Sequence, residues 1–152
     1  MFAIFQLASL LIAEPATQST LEGQLSSADW WEFVSVNPTA AASNQKAVYG
    51  PGGIDIIMFH GGDMCAVASV PAVPGAGIRA DCGKYDVDEA ERTIIFNVVT
   101  DGSPKDIGDI RKRYAAFNGD ILTLRTMKPN SDELDYTLTL KRYVKPAEAK
   151  KK

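Results

Sequence analysis

A chain of 152 residues, 45% hydrophobic and 23% charged, has the make-up of one globular domain large enough to bury a core. Its net charge is −3, and its one basic run, Lys150-Lys151-Lys152, reads as a solvated tail. That balance argues against a nucleic-acid partner, which needs a basic face to meet phosphates.

The chain divides at 28 and 144 into an N-terminal helix and linker (1–28), a β domain (29–144) and a disordered basic tail (145–152). Phe2 to Ala13 is apolar but too short to span a bilayer. No Lys or Arg precedes it, so it is expected to be a retained helix packed on the domain, in a cytoplasmic protein. The alternative is the core of a signal peptide, which would make the protein secreted. Glu14 to Ala28, rich in Ser, Thr and Gln, reads as a linker.

Short strands follow, each alternating in polarity and closed by turn residues. Asp29–Val36 comes first, with Trp31, Phe33 and Ser35 on one face. Ile54–Phe59 places Ile54, Ile56 and Met58 on its expected inner face and turns through His60-Gly61-Gly62-Asp63. Met64–Val70, Arg79–Tyr85, Thr93–Thr100, Ile110–Phe117, Ile121–Met127 and Leu134–Val144 complete the series. Asn118-Gly119 between two alternating runs is a strong hairpin signal. The fold expected is all-β, a closed antiparallel barrel of eight to ten strands. A hairpin about Val73-Pro74 sets Cys65 opposite Cys82, both facing away from the lumen. One disulfide and a pair of neighbouring thiols both fit that register, with the reduced pair the default inside a cell.

Alternation also sorts side chains by face. The lumen is expected to take Trp31, Phe33, Met58 and Met64, with Phe96, Leu124 and Leu138, as the residues that contact a ligand. Among them stand four polar groups, Asp81, Tyr85, Arg113 and Tyr136. Arg79, Arg111 and Arg113 are the cations at hand for Asp81. Arg113 serves equally as a plug packed on Trp31 through a cation–π contact. There is no G-x-S-x-G elbow, P-loop or dinucleotide fingerprint, and His60 is the only histidine, so neither a triad nor a metal site is indicated.

Trp31-Glu32-Phe33-Val34-Ser35 resembles the opening tryptophan strand of the lipocalin-like domain family. The spacing of Ile54, Ile56, Met58, Gly62 and Met64 is similar to that family's second hairpin, and Gly83-Lys84-Tyr85-Asp86-Val87-Asp88 resembles its central G-x-Y-x-V-D strand end. Pro104, Gly108, Arg113, the run Gly119 to Arg125 and the closing Lys141-Arg142 follow in the family's order, so the resemblance covers residues 28 to 144. The chain departs at Asp81, where the family often has an inward tyrosine, and at Phe96, where it often has an inward histidine. The resemblance implies a barrel holding a small, mostly apolar molecule. In similar proteins of microbial natural-product pathways it implies a cyclase or isomerase.

Two functions follow as expectations. One is a cofactor-free isomerase or cyclase acting on a polyketide- or terpenoid-like substrate in secondary-metabolite biosynthesis, with Asp81, Arg113, Tyr85 and Tyr136 orienting it and moving protons. The other is a non-catalytic carrier of a hydrophobic small molecule. Either has that molecule as its partner, no cofactor, no nucleic acid and no stable membrane insertion. A homodimer is left open.

Overall fold

Eight of the alternating stretches become strands. The computed structural model describes residues 19–38, 55–69, 78–100 and 104–145. A short helix, α1 (Leu21–Leu25), precedes β1 (Trp30–Pro38), β2 (Asp55–His60), β3 (Asp63–Ser69) and β4 (Ile78–Asp88). Then come β5 (Thr93–Thr100), a 3-10 turn at Pro104–Asp106, β6 (Ile110–Asn118), β7 (Ile121–Met127) and β8 (Leu134–Tyr143). Each strand pairs antiparallel with the next and β8 returns to β1, closing the barrel. Closure leaves no sheet edge to recruit another strand. The Gly61-Gly62 turn between β2 and β3 has φ of 56° and 81°, a left-handed backbone that glycine adopts without strain.

Two strands differ from the expected facing. In β1 the register with β8 slips between Phe33 and Ser35, so Val34 is an extra residue and stands 59% exposed. This bulge resets the alternation. Val36 turns into the lumen, while Ser35 pairs with Thr139 on the outer side. In β2 the inward residues are Ile57 and Phe59, both buried, rather than Ile56 and Met58. Each face of this strand carries two apolar residues and one polar one, Asp55 or His60, so alternation alone did not choose between them. Pairing chooses: Ile57 lies opposite Trp31 on β1 and Ala66 on β3, which are inward. Met58 pairs with Cys65 and faces out with it. Ile54 lies outside the described residues.

Cys65 and Cys82 face each other across β3 and β4 on the outer wall and are joined as a disulfide. Their Cα atoms are 4.1 Å apart.

The segment read as a linker contains α1. Five residues are too few to hold a helix by themselves, and contacts with the barrel supply what is missing. The Thr20 side chain accepts from Gly23 N at 3.0 Å, and the Glu89 carboxylate accepts from Leu21 N at 2.6 Å and Glu22 N at 3.2 Å. These bonds satisfy amides at the helix N-terminus that would otherwise lack partners. Leu21 and Leu25 sit one turn apart and both are fully buried in the core cluster. The carbonyl of Leu25 accepts from Trp31 Nε1 at 2.9 Å. Burying each leucine contributes about 1.5–3 kcal/mol. The apolar run at 1–13, expected to be helical, and the tail beyond 145 lie outside the described residues. Among the described residues no helix is long and apolar enough to cross a membrane.

Candidate functional site

Strand direction makes the two ends of the barrel unlike. β1 starts beside α1, so the turns at 61–62, 89–92 and 119–120 gather with α1 at one end. That end is sealed. Trp31, 1% exposed, meets Phe117 edge-on at 5.7 Å, and Arg92 sits 5.5 Å over the Phe117 ring and donates to Gln24 of α1. Tyr85 also belongs here. Its hydroxyl donates to Glu22 Oε1 at 2.6 Å and its ring meets Phe59 at 5.3 Å. Burial, and then the Glu22 carboxylate, push its pKa well above the usual tyrosine range.

A cavity of about 360 Å³ occupies the other end. Its apolar wall comes from Phe33, Val36, Ile57, Ala66 and Leu138, with Ala68, Met127 and Pro129. Its polar groups are Asp81, Arg111, Arg113, Thr126 and Tyr136, and Asp106, Asp109 and Asp135 add carboxylates from the 3-10 turn region and the start of β8. This size and mixture suit one small molecule with a few polar groups.

Among the described side chains, Arg111 pairs with Asp81. Nη1 of Arg111 lies 2.9 Å from Asp81 Oδ2, and Nη2 lies 3.7 Å from Asp109 and 4.0 Å from Asp106. Arg113 sits two residues further toward the sealed end and is 2% exposed. Its Nη1 donates to Met64 Sδ at 3.0 Å, a weak acceptor, and its guanidinium lies 5.3 Å from the centre of the Phe96 ring. The cation–π contact expected with Trp31 is thus made with Phe96. No carboxylate of the described residues forms an ion pair with Arg113, and its Nε has no hydrogen-bond partner. Burial lowers its pKa from the usual arginine value and the charge of Arg111 adds to this, while Tyr136 and Asp81 act in the opposite sense.

The residues expected to form the site therefore separate. Asp81, Arg113, Tyr136, Phe33 and Leu138 line the cavity. Met64, Phe96 and Leu124 are wholly buried core residues rather than lining. Trp31 and Tyr85 belong to the sealed end, and Met58 faces out. Alternation did not find Val36, hidden by the β1 bulge, or Ile57, hidden by the two-faced β2. Asp106 and Asp109 arrive from a connection with no periodic signal. Thr126 looked like an ordinary strand threonine, and only its position on β7 next to Arg113 marks it. Among the described residues no cluster of His, Cys, Asp and Glu could hold a metal ion. A comparison of the chain with protein-family models, curated proteins and solved structures finds no match in any of the three.

Proposed function

We propose that the barrel binds one small, mostly apolar molecule in the cavity at the end opposite α1 and carries or sequesters it. The observation that supports this is the cavity of about 360 Å³, closed on the far side by α1 and Trp31, with apolar side chains making up half of its wall. Binding is favoured over turnover because two of the four polar groups expected to move protons, Asp81 and Tyr85, are engaged or distant. Asp81 is tied to Arg111, and Tyr85 is bonded to Glu22 at the other end. The disulfide supports an oxidising compartment over the cytoplasm.

A second reading is the cofactor-free isomerase or cyclase acting on a polyketide- or terpenoid-like molecule. Arg113 and Tyr136 favour it, since hydrogen-bond donors aimed into a cavity can polarise a carbonyl. A mass-neutral conversion of ligand, lost in Tyr136→Phe, would select this reading.

Fluorescence titration with the neutral apolar dye phenylnaphthylamine tests the binding site. Saturable binding of one dye per chain is expected. Ala66→Phe, which fills the cavity from β3, should abolish it while circular dichroism stays that of the parent. Absence of saturable binding, or undiminished binding by Ala66→Phe, would sink the proposal.

A further inference from the structure

Three polar side chains lie in one row across the cavity wall. Arg113 on β6 pairs with Thr126 on β7, and Thr126 pairs with Tyr136 on β8. All three line the cavity. Arg113 and Thr126 are 2% and 1% exposed, yet among the described residues Arg113 Nε and Thr126 Oγ1 have no hydrogen-bond partner. Adjacent strands bring such neighbours within about 5 Å at Cβ, close enough for one small head group to touch both.

We propose that the ligand carries a carboxylate, bound by the Arg113 guanidinium with the hydroxyls of Thr126 and Tyr136 beside it. This rests on the reading of the cavity as a ligand site and names the ligand's chemical class. A buried guanidinium without an anion is costly, and satisfying it with a carboxylate supplies both charge and acceptors. One carboxylate oxygen accepts from Arg113 and the other from the Thr126 hydroxyl. The apolar remainder of the ligand packs on Phe33, Val36, Ile57 and Leu138.

The carboxylates nearer the mouth argue for a cation instead, and their placement decides against it. Asp81, Asp106 and Asp109 surround Arg111, which already answers much of their charge. Asp135 lines the cavity without forming an ion pair among the described residues. Arg113 is the deeper charge, and among the described residues it has no ion-pair partner.

Decanoate, decanol and decylamine share a tail and differ in the head. Their displacement of phenylnaphthylamine from the full chain at neutral pH gives relative affinities. Decanoate is expected to bind about tenfold tighter than decanol or better, the strength of a charge-assisted hydrogen bond, with decylamine weakest. Arg113→Met and Thr126→Val keep the approximate shape and remove donors. Each should retain dye binding and bring decanoate toward decanol, Arg113→Met completely. If Arg113→Met does not fold, Thr126→Val decides by the same readout. Equal binding of decanoate and decanol by the parent, tighter decylamine, or a preference for decanoate that survives the substitution overturns the inference. Failure of the parent to bind the dye removes the cavity reading itself, a separate result.

Discussion

Gly83 faces the β5 backbone at a distance that leaves no room for a methyl group. A Cβ there would lie 1.9 Å from the carbonyl oxygen of Asn97, beside the register shift between Cys82 and Gly83. The obstacle is backbone, which cannot swing away, so Gly83→Ala is expected to destabilise the barrel by about 1–3 kcal/mol or more. An unchanged urea midpoint would show that β4 and β5 do not approach this closely. Tyr85 gives a pH-dependent test. Its folded-state pKa is raised above the unfolded value, which lies near 10. The stability it contributes is therefore fully present below about pH 10 and is lost as pH rises toward the folded value. Tyr85→Phe should be less stable at neutral pH by about 1.5–3 kcal/mol, the worth of a hydrogen bond to a charged group. It should also lack that part of the parent's alkaline fall. An identical pH profile in both proteins would contradict the Glu22 contact. The inward positions of Asp81, Arg113 and Tyr136 were readable from alternation because their strands are regular from those residues onward into the core. The partners were not readable: Asp81 and Arg111 are 30 residues apart on β4 and β6, with β5 between them, so only the assembled sheet brings them together.

α1 is a short element sustained by its surroundings, and it was invisible to periodicity because five residues do not repeat a pattern. The apolar run ahead of it carried the stronger helix signal. Glu89, from the turn after β4, holds the first amides of α1. Glu89→Ala is expected to cost about 1 kcal/mol and to speed hydrogen exchange at Leu25 and at the Trp31 indole, with the strands unaffected. Uniform exchange throughout the barrel would show that α1 is no separate unit. The Cys65–Cys82 bond ties β3 to β4 across a sequence separation of 17 residues. Here the sequence register was sound, because the pairing of β3 with β4 runs without a bulge from Cys65 and Cys82 to Ser69 and Ile78. Loop entropy predicts that Cys65→Ser with Cys82→Ser lowers stability by about 3 kcal/mol. A denaturation midpoint that ignores both substitutions would show that the bond does not restrain the unfolded chain.

Regular turn spacing announced a closed antiparallel barrel, since eight short strands have few other ways to hide both edges. Which end would hold the cavity was not readable. That depends on α1 filling one end, on β1 shifting by one residue at Val34, and on β2 presenting Ile57 rather than Met58. Each is a tertiary choice between locally equivalent arrangements, and together they move the binding surface toward Val36, Ile57 and Thr126. Amide chemical shifts of isotope-labelled protein, followed while phenylnaphthylamine is added, locate that surface. Val36, Ala66, Ala68 and Leu138 are expected to shift together and saturate at one dye per chain, while Leu25, Trp31 and Tyr85 hold their positions. Shifts centred on α1, Trp31 and Tyr85, or shifts that never saturate, would contradict a ligand site opposite α1.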